Sequence, residues 1–316
     1  MNYVASEFKK RWPEIPIMTT AHDFSFGVDG KLKGYDWFCP ITFQYLNHIE
    51  NKKIAIWGLG KEGISTLQFI QNNNIRYKEL GILDQKDFPE IEGVKKLSNP
   101  EELNEYDLIF KSPGIVADAT IIDIEKLTSQ TEEFIKILSK QIIGITGTKG
   151  KSTTSSLTYT ILKKYYPNTV LVGNIGIPCF NAINEIDEDT KIVFELSCHQ
   201  LEFIRYSPHI AVILDLYPDH LDHYKTFENY INAKLNINKF QTDDDIFIYG
   251  ETCKKYIHSK IKNNICINDY IKDRNIMTEN NSIQILNDET NLIGEHNFFD
   301  IAVSYYICSE IYKISN

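Results

Sequence analysis

Residues Ile142–Thr146, a short and mostly apolar run, feed directly into Gly147-Thr148-Lys149-Gly150-Lys151-Ser152-Thr153 and then into a helical stretch, Ser155–Lys164. Nothing else in the chain constrains its fold so tightly. A buried strand, a glycine turn and a helix in that order point backbone N–H groups and a helix N-terminus at an anion. Lys151 is expected to reach the outer phosphates of a nucleoside triphosphate, and the Ser152 hydroxyl to ligate Mg²⁺. Ile145 stands where the strict G-x-x-x-x-G-K-[ST] pattern has its first glycine. A glycine turn followed by a surface lysine is the blander reading, but it leaves the flanking strand and helix unexplained.

The surrounding pattern fits an α/β protein. Lys53–Trp57 reads as a buried strand, followed by Gly58, Gly60 and Gly63 and the helical run Ile64–Ile70. Gly81–Leu83, ending at Asp84, and Tyr106–Phe110, ending at Ser112-Pro113-Gly114, suit two more strands. A second unit continues through strands at Thr169–Val172, Ile192–Leu196, Ile210–Leu216 and Asp245–Tyr249. Strands alternating with helices imply parallel sheets with covered faces. The first 48 residues differ: Tyr3–Trp12 reads as a short helix, with extended runs at Ile15–Thr20 and Tyr35–Ile41. Through PEIPIMTT and YDWFCP they faintly resemble a βα piece of a glycoside-hydrolase-like barrel, too short to close one. They are read as an appendage without chemistry of its own.

Charge narrows the partners. A formal net charge of −10 argues against generalised binding to nucleic acid or to an anionic membrane. No apolar run approaches the roughly 20 residues of a membrane span, and the N-terminus lacks a secretory apolar core, so a cytoplasmic protein is expected. The six cysteines occur without C-x-x-C pairing, which predicts reduced thiols rather than a disulfide or zinc framework.

Acids and histidines gather near the expected strand ends. Asn174 lies in Gly173-Asn174-Ile175-Gly176, Glu195 and Ser197 in ELSCHQLE, and His220 in DLYPDHLDHY. Ligands of open parallel sheets collect beyond the carboxyl ends of the strands, so these residues can converge on the phosphate loop. On the helix expected over Phe227–Phe240, Lys234 shares a face with Phe227, Ile231 and Asn238. A lysine there either snorkels or is buried with a lowered pKa. A neutral amine could then add CO₂ as a carbamate.

The segments TGTKGKST, GNIG, ELSCHQLE, AVILDLYPDHLDHY, YINAKLNI and GEHN occur in the order of the Mur ligases, and the chain resembles that family over about Lys52–Ile311. ELSxxQLE is most similar to the members that add D-glutamate. The resemblance implies a Rossmann-like UDP-binding domain at 49–140 and a P-loop Mur ligase central domain with a mostly parallel sheet at 141–298. It makes Lys151, Lys234 and His220 catalytic, with Ser152, Glu195, His220 and carbamylated Lys234 as Mg²⁺ ligands. Gly147 to Thr153 (Gly147, Thr148, Lys149, Gly150, Lys151, Ser152, Thr153) and Asn297 would bind ATP, which is a substrate. Gly58, Gly60, Gly63, Asp84, Ser112, Pro113, Gly114, Asn174 and Ser197 would line the UDP-substrate site. The implied partners are UDP-N-acetylmuramoyl-L-alanine, ATP and D-glutamate, with reaction through an acyl phosphate.

Two positions depart from the family: Lys86 replaces an arginine that packs on uracil, and Asp300 an asparagine near adenine. Residues 299–316 read as the start of a hinge toward a third domain that the sequence does not contain. The expectation is a chain that binds ATP but does not complete ligation alone, with a separate third-domain polypeptide as a conceivable partner. Alternatives are another Mur or folylpolyglutamate-type ligase, or a noncatalytic nucleotide-binding remnant or subunit of a split ligase.

Overall fold

The computed structural model describes residues 25–26, 32–33 and 49–314, apart from 74, 259–260, 274, 278–281 and 285–293. Of the first 48 residues it describes an antiparallel pair, β1 (Ser25–Phe26) and β2 (Leu32–Lys33). The elements expected at Tyr3–Trp12, Ile15–Thr20 and Tyr35–Ile41, and Cys39, lie outside the described residues.

The first sheet contains β3 (Lys53–Trp57), β4 (Glu79–Leu83), β5 (Val94–Lys96), β6 (Leu108–Lys111) and β7 (Leu127–Thr128), in the order β5-β4-β3-β6-β7. All its pairings are parallel. Ile54, Ala55 and Ile56 of β3 are fully buried, which is why the strand is continuously apolar rather than alternating. Helix α1 (Lys61–Asn72) follows β3 through the first glycine loop. Strand β6 starts two residues later than the sequence suggested. Tyr106 leaves the strand to bury its ring against Gly81, where a Cβ would collide with the tyrosine hydroxyl.

Helix α2 (Gln130–Leu138) leads to the second sheet and was not read from the sequence. Its signal is local: Ser129 accepts a hydrogen bond from the Glu132 N–H at 3.0 Å, the S-x-x-E start of a helix. The second sheet holds β8 (Ile142–Thr146), β9 (Thr169–Gly173), β10 (Lys191–Glu195), β11 (Ile210–Ile213), β12 (Ile246–Tyr249) and β13 (Asn263–Cys266). Its order is β13-β12-β11-β8-β10-β9, again with parallel pairing. Helix α3 (Lys151–Tyr165) follows β8. Three short helices, α4 (Cys179–Ala182), α5 (Cys198–Leu201) and α6 (Leu221–Tyr224), precede α7 (Phe227–Lys239). Beyond β13 a small antiparallel sheet of β14 (Ile271–Lys272), β15 (Asn275–Met277) and β16 (Ser282–Gln284) is followed by α8 (Glu295–Tyr306).

The two sheets share one apolar core. Phe69 of α1 packs on Phe180 of α4 at 4.6 Å between ring centroids, and Phe134 of α2 on Phe194 of β10 at 5.7 Å. Polar contacts reinforce the junction: Arg205 makes a two-pronged ion pair with the buried Glu132, at 2.7 and 3.1 Å. A planar guanidinium suits this fork better than an ammonium would. The five described cysteines are buried and free. Among the described residues, no helix is long and apolar enough to cross a membrane.

Candidate functional site

Strand β8 is central, with β11 on one side and β10 on the other, so the chain changes direction across the sheet at its carboxyl end. That is where open α/β sheets form their ligand crevice. The glycine loop 147–150 emerges there and opens α3. Gly150 has φ 79°, the left-handed region, and a side chain at this position would collide with the Asp300 carboxylate. Lys151 bends back over the loop, donating to the carbonyls of Gly147 and Thr148, each at 3.0 Å. Lys149 and Ser152 are exposed, whereas Thr153 is half-buried.

The floor of the loop carries a second cation. Lys234 of α7 is 1% exposed, and its Nζ donates to the Gly147 carbonyl at 2.8 Å and to Thr146 Oγ1 at 3.2 Å. Burial, with a smaller push from Lys151, lowers its pKa from 10.5 to about 8. The lysine is therefore buried rather than snorkelling. Tyr230, one turn earlier, ties the neighbourhood together. Its ring lies 5.0 Å from Lys234 Nζ and 6.3 Å from the His220 ring, and its hydroxyl is 3.0 Å from Thr148 Oγ1.

Glu195 ends β10 beside Ile145 and is fully buried. Asn174 donates to its Oε1 at 2.7 Å, while Oε2 is a buried oxygen without a hydrogen-bond partner. A carboxylate oxygen of that kind fits a hard cation, the fit expected of a Mg²⁺ ligand. His220 enters α6 with φ 51° and ψ 34°, an uncommon backbone state for a non-glycine residue, and its side chain is half exposed. Ser197 caps α5 reciprocally with Gln200. Helix α8 packs along α3, where Ser304 donates to the Thr154 carbonyl and Thr154 Oγ1 to Asp300. Asn297 lies one turn before Asp300, and burial pushes the Asp300 carboxyl up to about 7.

In the first lobe the expected ligand residues are brought together around the first glycine turn and also brace it. Asp84 accepts the backbone N–H groups of Leu59 and Lys86. Ser112, buried, donates to the Gly58 carbonyl at 2.7 Å, so its proton holds the loop closed. Gly63 sits so close to Gly58 that a Cβ would collide with its carbonyl, whereas Gly60 and Gly114 have open space around them. Glu62 then reaches across to the second lobe, accepting from Gln200 Nε2 at 2.7 Å. Burial raises its pKa from 4.5 to about 7, against the opposing effects of Gln200 and Lys111.

Some residues of this region went unread. His199, His223 and Glu202 cluster beside His220, and burial with the neighbouring His223 and His220 pushes His199 down to about 4. The signal was available: His199, His220 and His223 all fall inside two motifs already singled out. What was missing was the knowledge that α5 and α6 meet.

Fold and site together define a parallel α/β protein with a phosphate-type glycine loop at its sheet crossover. Residues 145–308, just over half of the chain, match the Mur ligase middle domain, and the chain belongs to the Mur ligase family. It is 32% identical over 290 residues to the UDP-N-acetylmuramoylalanine–D-glutamate ligase of Clostridium kluyveri, covering 83% of this chain and 62% of that protein. To the ligase of the same name from Clostridium tetani it is 35% identical over 228 residues, or 67% of this chain and 49% of the relative. The chain thus spans less than two thirds of these relatives' length. The crystal structure of UDP-N-acetylmuramate:L-alanyl-gamma-D-glutamyl-meso-diaminopimelate ligase from Neisseria meningitides has the same fold. It superposes with a TM-score of 0.53 at 13% identity, over 83% of this chain and 94% of that one.

Proposed function

We propose that this chain binds the nucleotide and the acid substrate of an ATP-dependent ligase that joins D-glutamate to UDP-N-acetylmuramoyl-L-alanine. The observation that carries the reading is Lys234, an amine buried under the phosphate loop against a carbonyl and a hydroxyl rather than a carboxylate. Its lowered pKa supplies the neutral amine that adds CO₂: an N–C bond forms, a proton leaves, and the lysine ends in a carbamate oxygen. The relatives' names supply the substrate, and ELSCHQLE supports the same member of the family.

In this reading Lys151 swings from the loop carbonyls to the outer phosphates, while the loop N–H groups and the start of α3 hold the triphosphate. Asn297 flanks the nucleotide. Gly58, Gly60, Gly63, Asp84 and the Ser112–Gly114 turn form the UDP side, with Asn174 and Ser197 between the two. Glu195, Ser152, His220 and carbamylated Lys234 would hold Mg²⁺, which neutralises charge during phosphoryl transfer. The substrate carboxylate takes the γ-phosphoryl group and ADP leaves. The amine of D-glutamate then displaces phosphate from the acyl phosphate to give the amide.

The test is ¹³C NMR of the protein in labelled bicarbonate, paired with calorimetry. The expected result is a carbamate resonance that disappears in Lys234→Ala, and binding of UDP-N-acetylmuramoyl-L-alanine in preference to UDP-N-acetylmuramate. Absence of the resonance would leave Lys234 a plain amine and remove the proposed ligand. Equal binding of the two UDP-acids would point to another family substrate.

A further inference from the structure

We propose that His199, His223 and Glu202 form a site for a zinc-class divalent cation, separate from the hard-cation ligands of the phosphate loop. The donor atoms of these three side chains lie within 4.8 Å of one another. His223 Nε2 sits 3.3 Å from both oxygens of Glu202. That spacing is long for a charge-assisted hydrogen bond. It equals the donor–donor edge of a tetrahedral ion with bonds of about 2.0–2.1 Å.

The surroundings suit such an ion. The side chains of His223 and Glu202 are 10% and 22% exposed, so the carboxylate is sheltered without being sealed from solvent. The rings of His199 and His223 approach at 4.5 Å and 74°, edge to face, with both imidazoles turned into one small volume. Nδ1 of His199 faces the Tyr224 hydroxyl at 3.4 Å; a proton kept there leaves the Nε2 lone pair for the ion. Two imidazoles and one carboxylate select Zn²⁺, Co²⁺ or Ni²⁺ over Mg²⁺, which prefers oxygen ligands throughout. Three protein ligands leave a fourth position for water.

The placement gives the ion a structural consequence. His199 lies in α5, Glu202 directly after it and His223 in α6, so one cation would staple the two short helices. Those helices begin at Ser197 and His220, both in the reading above. His199 also lines a narrow cleft between the lobes, together with Lys111, Pro113, Ser129, Gln200 and Phe203. A second grouping, Cys198, His199 and His220, shares one histidine and offers a thiol instead. The site needs only the meeting of α5 and α6, whatever acid the ligase takes.

The experiment uses the whole chain, freed of metal and held in excess Mg²⁺ to fill oxygen-ligand sites, and follows Co²⁺ uptake by visible absorption and Zn²⁺ by thermal melting. One equivalent of Co²⁺ with tetrahedral bands, and a rise in Tm with Zn²⁺, are expected. His199→Phe, which keeps a ring in place, and His223→Gln should each weaken uptake at least about tenfold, the loss that even an outer partner of a metal ligand produces. His258→Gln, at an exposed histidine outside the cluster, should leave uptake unchanged. Retained MgATP binding in His199→Phe and His223→Gln serves as the check on folding. The proposal is overturned by no stoichiometric uptake, or by full uptake in both His199→Phe and His223→Gln. A sulfur-to-cobalt band lost in Cys198→Ser would equally overturn it, by moving the ion to the other grouping.

Discussion

Two strands, β3 and β8, each end in a glycine turn that opens a helix, α1 in one lobe and α3 in the other. The backbone device is the same, and each helix opens on a lysine, yet the side chains that hold the two turns differ. In the first lobe the turn has a built-in anion: Asp84 takes the Leu59 N–H, Glu62 lies in the first turn of α1, and Ser112 seals the Gly58 carbonyl. In the second lobe Lys149 and Lys151 flank the turn and Lys234 lies beneath it. A helix N-terminus favours an anion wherever it occurs. The difference shows that one backbone device can be held in shape by side chains of either charge: Asp84 and Ser112 brace the first turn, and Lys151 and Lys234 the second.

The sharpest way to break the comparison is to open the first turn. A methyl group at Gly63 meets the carbonyl of Gly58, backbone that cannot rotate away, while at Gly60 it meets nothing within 4 Å. Gly63→Ala should cost about 3 kcal/mol or more, through overpacking against the main chain. Gly60→Ala should stay within about 1 kcal/mol, the ordinary cost of a poorer helix cap. Urea denaturation of the pair decides the matter: equal midpoints would mean that the turn is not closed on itself.

The anion of the first turn can be removed next. Glu62 has its pKa raised from 4.5 to about 7, with Gln200 and Lys111 as the groups facing it. Between those values the folded state keeps a proton that the unfolded chain has released. Stability therefore falls as pH rises through that window, by at most about 3 kcal/mol once pH exceeds 7. Glu62→Gln should flatten this fall, matching the wild type near pH 5 and exceeding it at pH 8. Parallel pH dependence of the two proteins would show that Glu62 is not charged at a cost between the lobes.

How much of this was legible beforehand follows from what each signal depends on. Strands β3 and β8 were read to the residue, because a continuous apolar run before glycines has few other solutions. The burial of Lys234 was one of two readings. Helical periodicity put it on the apolar face, but only the packing of α7 under β8 shows its amine touching Gly147. The roles of Ser112 and Asp84 were less visible. Sequence brought them to the first turn as ligand residues; that their polar atoms also brace the turn, across 54 and 25 positions, is visible only in the fold. The histidines around Glu202 were hidden for the same reason: α5 and α6 are four residues each, too short to show a face by periodicity. Local geometry was readable, and pairing at a distance was not.

The smallest expected effect sharpens the comparison from the other side. Lys61 and Lys151 each open the helix after their turn, but Lys61 is exposed, whereas Lys151 folds back over its loop and places its charge on two loop carbonyls. Those contacts are neutral acceptors, so exchanging them for a phosphate oxygen gains a charge-assisted bond. Lys151→Ala should therefore weaken MgATP binding by some tens-fold, about 2 kcal/mol at roughly 1.4 kcal/mol per tenfold. Stability should change little, because the lysine is half-buried and the loop carbonyls it leaves can turn to water. Binding of a UDP-acid to the first lobe should persist, since the bonds of this side chain stay within its own loop, and the lobes are joined through Glu62, Gln200, Arg205 and Glu132. Calorimetry with each ligand separates the outcomes. A matched loss of both affinities would mean that the two turns act as one electrostatic unit, and unchanged MgATP affinity would mean that Lys234 and the loop N–H groups carry the phosphates without it.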